Sequence, residues 1–447
     1  MFNCFRKHLA AALLLTWWSF SGHAAAAAES KLPRQQLLER ARQGDAAAQL
    51  EIGYLSYRQN NPVRAAYWFN AAALQGLPEA QYNLGCCFME GFGVEKNLHR
   101  AMECFQQAAA SGKLPHAELM LCQLYLNGIA AVPDAQPPRP AIAPDEKAAF
   151  AILEKLSNSG NNTAKIIYAG YLIKKYRNQQ PGKIIQLLEQ AALHDTNGQI
   201  MLADFLLSRT DELRDEKRAR ALLESAAATN HEAMGKLAFA VENGFGAPPD
   251  PAAAFKLYQR SIQTTFSPLA AVRLANYYYS GSYGVEQNIP YAVELYTRAA
   301  AAGVPEALYR LGVCFSSGVG VQQDHLKAFD LFFQAAKMDY PQAQYELGRA
   351  FESGRGTPEN QAAAFYWYNQ AAVRYEPRAL LETGRRYLEG KGTEADPAKA
   401  VIFLEQALAN GMNEAGKLLP AARKRAAAAE VRANPLPEFG LKPAKLQ

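Results

Sequence analysis

What this sequence has least of is recognisable chemistry. Its 447 residues hold no H-E-x-x-H, no G-x-S-x-G, no G-x-x-x-x-G-K-[ST] and no S-x-x-K. Those absences exclude the usual zinc-protease helix, hydrolase nucleophile elbow, phosphate-cradling P-loop and serine β-lactamase nucleophile. No catalytic residue and no cofactor is expected. Six cysteines in so long a chain are too few for a disulfide-dense scaffold. Charge of one sign is scarce too: 47 Lys+Arg face 42 Asp+Glu, a net of +5. Two of those charges, Arg6 and Lys7, lie in an acid-free N-terminal stretch. A nucleic-acid binder concentrates a basic patch, so no nucleic-acid partner is expected. After residue 20 no apolar run approaches the ~20 residues of a membrane-spanning helix. Apolar residues are nonetheless abundant, at 49% against 20% charged, enough to bury a large core.

The N-terminus reads as an address. Met1 to Lys7 is a short basic region, and Leu9 to Phe20 (LAAALLLTWWSF) is an apolar stretch too short to span a bilayer. Ser21-Gly22-His23 leads into the run Ala24 to Ala28, which offers several small-x-small cleavage sites. This predicts a secretory signal peptide over 1–28, an uncleaved anchor being the alternative, and a periplasmic or secreted body. Cys4 precedes the apolar stretch, so no lipid-anchoring cysteine follows it.

Self-similarity organises the rest. Ala307, Ala343 and Ala379 are 36 residues apart, as are Gly312, Gly348 and Gly384, and Gly318, Gly354 and Gly390. EAQYNLGCCFMEGFGV (79–94) repeats the pattern upstream, and with divergent copies about ten units fill 46–411. Each unit predicts two amphipathic helices: Leu311 and Phe315 are one turn apart, and Phe329, Phe332, Phe333 and Ala336 follow at i+3, i+4 and i+7. The G-x-G between them ends the first helix, and Gly312 facing Ala328 predicts a close approach of the two backbones. A lone pair cannot cover its own apolar face, so the pairs should stack into an all-α superhelical solenoid. Residues 29–45 predict a lead-in helix, 412–432 a capping helix and 433–447 a flexible tail. The five-proline stretch 130–145 predicts an extended surface insertion. Units across 161–230 lack G-x-G, so their turns must be built differently.

These residues carry a family resemblance. A-x-x-x-L-G-x-x-x-x-x-G-x-G-V followed by [KR]-A-x-x-x-[YF]-x-x-A-A resembles the Sel1-like repeat, a relative of the tetratricopeptide repeat. The best copies are 79–112, 268–303, 304–339 and 340–375. The resemblance implies a non-catalytic α/α scaffold binding a protein or peptide of the cell envelope or host. Exported bacterial relatives also imply an alternative, an envelope factor supporting exopolysaccharide assembly or secretion. A remoter alternative is β-lactam or peptidoglycan activity, associated with a cysteine-rich branch of the family. This chain has alanines, such as Ala300 and Ala307, around the positions of that branch's stapling cysteines.

The resemblance also implies a partner face. In tetratricopeptide solenoids the first helix of each pair lines the concave side. By register this gives Glu306, Tyr309, Val313 and Ser316 in one unit, then Gln342, Tyr345, Arg349 and Glu352, then Arg378, Leu381, Arg385 and Glu389. Arg349 and Arg385 are 36 apart and should stack as a basic column suited to carboxylates, in an acidic peptide or an acidic polysaccharide. The opposing reading pairs Arg349 with Glu352 and Arg385 with Glu389 internally. Tyr277, Tyr278, Tyr279 and Tyr283 could form an aromatic platform, with Tyr278 at the core position.

Cys86, Cys87, His99, Cys104, His116 and Cys122 crowd one region, but their spacing matches no paired-ligand metal pattern. In register, Cys87 shares an interior position with Cys314, and Cys104 stands where Trp68, Leu295 and Leu331 stand. Buried small hydrophobes are the first reading. A disulfide of Cys104 with Cys87 or Cys122 is the second reading, and a metal site the remotest.

Overall fold

A computed structural model of the chain describes residues 33–132, 139–175, 179–264 and 266–433. The expected signal peptide and nearly all of the expected tail lie outside them. Among the described residues are 22 α-helices, in two compact units that divide between Ala226 and Ala227.

The first unit opens with α1 (Arg34–Arg42) and continues as five helix pairs. They are α2 (Ala46–Arg58) with α3 (Pro62–Ala73), α4 (Pro78–Glu90) with α5 (Leu98–Ala109), and α6 (Pro115–Asn127) with α7 (Glu146–Asn158). Then come α8 (Asn162–Lys175) with α9 (Pro181–Ala192), and α10 (Thr196–Ser208) with α11 (Glu216–Ala227). The second unit holds α12 (His231–Asn243) with α13 (Pro251–Thr264), α14 (Pro268–Ser280) with α15 (Ile289–Ala301), and α16 (Pro305–Ser317) with α17 (His325–Lys337). It ends with α18 (Pro341–Ser353) and α19 (Gln361–Ala372), α20 (Pro377–Glu389) and α21 (Pro397–Ala409), and a single long helix, α22 (Asn413–Ala433). The all-α repeat solenoid expected from the 36-residue period is the fold found.

One pair shows why the sequence folds this way. Pro305 starts α16, where its missing N–H costs nothing, and Glu306 stands in the first turn. Gly318 ends the helix in the left-handed region, with φ 74° and its N–H on the Cys314 carbonyl. Asp324 then caps α17, its carboxylate accepting from the Lys327 N–H at 2.9 Å. The Asp324 N–H donates to the Phe315 carbonyl at 2.9 Å, and Asn97, Asn288, Asn360 and Asp396 close their own pairs in the same way. On α17, Ala328, Leu331, Phe332, Ala335 and Ala336 form the buried stripe.

The helix glycine works differently from the expected backbone approach to Ala328. A Cβ on Gly312 would stand 2.7 Å from the Phe332 ring, one on Gly348 2.6 Å from Tyr368, and one on Gly85 2.7 Å from Phe105. The missing side chain is therefore a notch for the second helix's aromatic ring. The second glycine of a G-x-G joins neighbouring pairs at Gly93, Gly320, Gly356 and Gly392: a Cβ on Gly356 would lie 2.1 Å from the His325 carbonyl oxygen, at the start of α17. Aromatic edges add to that joint. Phe329 of α17 meets Phe351 of α18 at 5.4 Å, Phe365 of α19 meets Tyr387 of α20 at 5.1 Å, and Phe150 of α7 meets Tyr171 of α8 at 5.2 Å.

The proline-rich insertion leaves the α6–α7 loop as a pair of antiparallel bridges, Ile129 with Ile142 and Val132 with Arg139. It folds back on α5, where the Pro140 carbonyl meets His99 Nε2 at 2.8 Å. Where α10 lacks a terminal glycine, the Arg214 guanidinium donates to the Leu207 and Arg209 carbonyls at 2.8 and 3.1 Å. At that turn a side chain satisfies carbonyls that a glycine cap would otherwise serve.

Candidate functional site

The partner-facing candidates all lie on first helices of the second unit, and the structure interlocks them. Glu306 on α16 is reached from α14 by Arg273 at 3.6 Å and by the Asn276 amide at 3.3 Å. Tyr309 is half-buried between Phe332 at 6.1 Å and Tyr340 at 5.5 Å. Gln342, also half-buried, has an Oε1 with no hydrogen-bond partner. Tyr345 leans on Tyr368 at 5.4 Å, and the Arg378 guanidinium lies 4.2 Å from its ring centre.

The arginine column is real in register but not bare. Arg349, its side chain 51% exposed, pairs with Glu346 at 3.0 Å. Arg378 reaches the same Glu346 from α20 at 3.3 Å and Glu376 at 2.8 Å. Arg385 pairs with Glu414 of α22 at 2.8 Å and Glu382 at 3.8 Å. Neither internal pair read from the sequence forms. Glu352 instead accepts from Tyr368 Oη at 2.8 Å and from Lys391 at 2.9 Å, and forms an ion pair with the fully buried Arg386 at 2.8 Å. Glu389 is exposed, and Leu381 is buried rather than facing a partner.

The electrostatics follow this wiring. Burial pushes the Glu352 carboxyl up, but Lys391, Tyr368 and Arg386 together hold it below its ordinary value. Glu382 goes the other way: burial raises it, and Arg385 only partly opposes the shift. Sequence reasoning missed Glu346 and Glu382, although they are 36 apart and stand three residues before the two arginines. Their spacing from Arg349 and Arg385 was the available signal.

In the tyrosine stretch it is Tyr277 that is buried, while Tyr278 and Tyr279 are half-buried. Tyr283 is 67% exposed, at φ 58°, and packs 5.8 Å from Tyr277. Tyr258 donates to Glu242 at 2.9 Å, the same phenol–carboxylate pair that Tyr368 makes with Glu352.

The five described cysteines are all free and buried. A disulfide of Cys104 with Cys87 or Cys122 is absent from this structure. Cys87 and Cys104 pack as small hydrophobes in a core with Met102, Phe105 and Leu121. Cys122 points at the Ala149 carbonyl of α7, 3.7 Å away. Burial pushes the Cys87 and Cys122 thiols up to about 12 and Cys104 to about 11. With His99 on Pro140, the cysteine and histidine side chains do not converge. Among the described residues no group of three His, Cys, Asp or Glu is placed to hold a metal.

Comparison with known proteins adds a family and a fold. A family model described as the Sel1 repeat matches residues 46–77, 78–113, 115–161, 196–231, 231–263, 268–304, 305–340, 341–372 and 377–412. It passes over 162–195, where α8 and α9 nevertheless form a pair. The crystal structure of c5321, a protective antigen present in uropathogenic Escherichia coli strains, is 24% identical with a TM-score of 0.54. The match covers 90% of this chain and 92% of that one, and it speaks to the fold alone. DAP3-binding cell death enhancer 1 is 38% identical in Mus musculus and 33% in Rattus norvegicus, over 84 residues. Those residues are 18% of this chain and 16% of theirs, so the chain spans less than a fifth of either relative.

Proposed function

Since the chain belongs to the Sel1 repeat family, we propose that it is an exported, non-catalytic scaffold holding a protein or peptide partner of the cell envelope or host. The partner lies along the first helices α16, α18 and α20. One observation carries the reading: Arg349, Arg378 and Arg385 each pair with a neighbouring acid while 51%, 39% and 31% of their side chains stay exposed. A partner carboxylate arriving there meets donors already oriented, and less side-chain entropy is lost on binding. The exposed Glu389 on α20 supplies the complementary sign, so a partner of mixed charge fits better than a uniformly acidic one.

Export rests on the basic and apolar N-terminal stretches of the sequence. The test is crosslinking of the protein in its own host, with captured material identified by mass spectrometry, beside an Arg349→Glu, Arg385→Glu variant of unchanged helical content. One dominant partner lost with the variant supports the face named here. A partner retained by the variant overturns that face, and retention on an acidic polysaccharide without any captured protein overturns the protein partner.

A further inference from the structure

We propose a second docking site, in the first unit, that takes one large apolar side chain of an extended peptide with an acidic residue close beside it. This is independent of the arginine face. A cavity of about 280 Å³ lies between α6 and α8. Its apolar lining is Leu119, Cys122, Leu126 and Ile167, and its mouth carries Gln123, Asn127, Tyr171, Lys174 and Lys175.

The register shows how this cavity arises. Pro115 and Pro341 both open a first helix, which aligns Leu119 with Tyr345, Gln123 with Arg349 and Leu126 with Glu352. On α8, Ala164 aligns with Ala343, so Ile167 stands where Glu346 stands. The positions that make charged contacts in the second unit are therefore aliphatic or neutral here. Cys122 fills the place of the helix glycine, so no aromatic ring enters a notch at this pair. The result is an apolar hollow on the same helix face, where the second unit has ion pairs.

Size and charge select the occupant. Sites for drug-sized ligands start at roughly 300 Å³, so this hollow suits a single anchoring side chain, not an acyl chain or a saccharide. Gln123 and Asn127, one helical turn apart at the mouth, can pair with a peptide main chain that continues past the anchor. Lys175 is tied to Glu146, and Tyr171 shares that carboxylate. Lys174 is exposed and makes no ion pair among the described residues, which leaves one cation at the rim for an acidic neighbour of the anchor.

The test is fluorescence anisotropy with labelled peptides of sequence Gly-Ser-Gly-Phe-Gly-Glu-Ser-Gly, amidated at the carboxyl end, on the full chain. Replacing Phe by Ser, or Glu by Gln, should each weaken binding at least fivefold. Lys174→Glu should abolish the preference for Glu over Gln while retaining binding of the Phe peptide. Gln123→Trp, placed at the half-exposed mouth, should block the Phe peptide with helical content unchanged. If that variant loses helix, methyl shifts at Ile167 in the native protein provide the independent readout. Arg349→Glu with Arg385→Glu should change nothing. Equal affinity for the Phe and Ser peptides, no binding at millimolar peptide, or preference for a free-acid peptide ending in Phe over the internal sequence would each overturn the proposal. Tighter binding of dodecanoate than of any peptide would overturn it in favour of a lipid.

Discussion

The backbone amide of Asp145 donates to the carbonyl of Tyr125 at 2.7 Å, the same closure that Asn360 makes to Phe351 at 2.8 Å. The first spans the proline-rich insertion, the second an ordinary G-x-G turn. The insertion is thus a graft that enters and leaves between two atoms already paired. Hydrogen exchange should find the Asp145 amide as protected as that of Asn360. Asp145→Ala and Asn360→Ala should each cost about 1 kcal/mol through the lost cap, read from denaturant midpoints. A much faster exchange at Asp145 would show that the insertion strains its base.

The glycine notches predict opposite outcomes for the same substitution. Gly348→Ala drives a methyl against the Tyr368 ring and should cost about 1–3 kcal/mol by overpacking. Gly182→Ala, in the first turn of α9 with nothing within 4 Å, should be neutral or stabilise by about 0.5 kcal/mol. Paired unfolding curves check both, and equal effects would remove the notch as the reason for the glycine.

Two carboxylates on successive first helices, Glu352 on α18 and Glu382 on α20, should respond to pH with opposite signs. Glu352 is held below its ordinary value, so its contribution is present above the usual carboxylate range and lost as the pH falls through the lowered value. Glu382 is raised by burial, so its ionisation works against folding as the pH rises through and above the ordinary carboxylate range. Glu352→Gln should therefore cost about 3 kcal/mol at neutral pH, because it leaves the buried Arg386 short of its counter-charge, and progressively less in acid. Glu382→Gln should be harmless or mildly stabilising at neutral pH. Stability measured from pH 3 to 8 for both variants decides the assignment.

The thiols supply a covalent check. Cys86, Cys87, Cys104, Cys122 and Cys314 should resist iodoacetamide in the native protein and label fully in denaturant, since burial raises each of them. Peptide mapping without reductant should find no bond among Cys87, Cys104 and Cys122.

The architecture was legible because spacing alone encodes it. Ala307, Ala343 and Ala379 mark the buried first-helix position, and the stripe from Ala328 to Ala336 marks the second helix. The α8–α9 pair was countable from its apolar pattern without the glycine signature. The site was less legible, because register says which side chains share a face and not which of them touch. Arg349 lies three residues from Glu346 on one side and three from Glu352 on the other, and the sequence alone does not choose between them. The structure chooses because Tyr368 and Arg386, on α19 and α20, draw Glu352 away. The cavity beside Ile167 was invisible for a related reason. It arises from what Leu119, Leu126 and Ile167 fail to fill, and that depends on how closely α6 and α8 approach.

Gly356 resting on the His325 carbonyl, and Gly392 on that of Gln361, tie each interhelix loop to the helix pair before it. A breakpoint at such a loop is thus no cleaner than one in mid-helix, since both cut a joint between neighbours. What preserves every joint is phase: a gene that grows or shrinks by whole 36-residue copies, wherever recombination falls, puts a glycine back over a carbonyl. A change of half that length sets a helix face where a loop belongs. In this arm of the molecule length is inherited in whole steps.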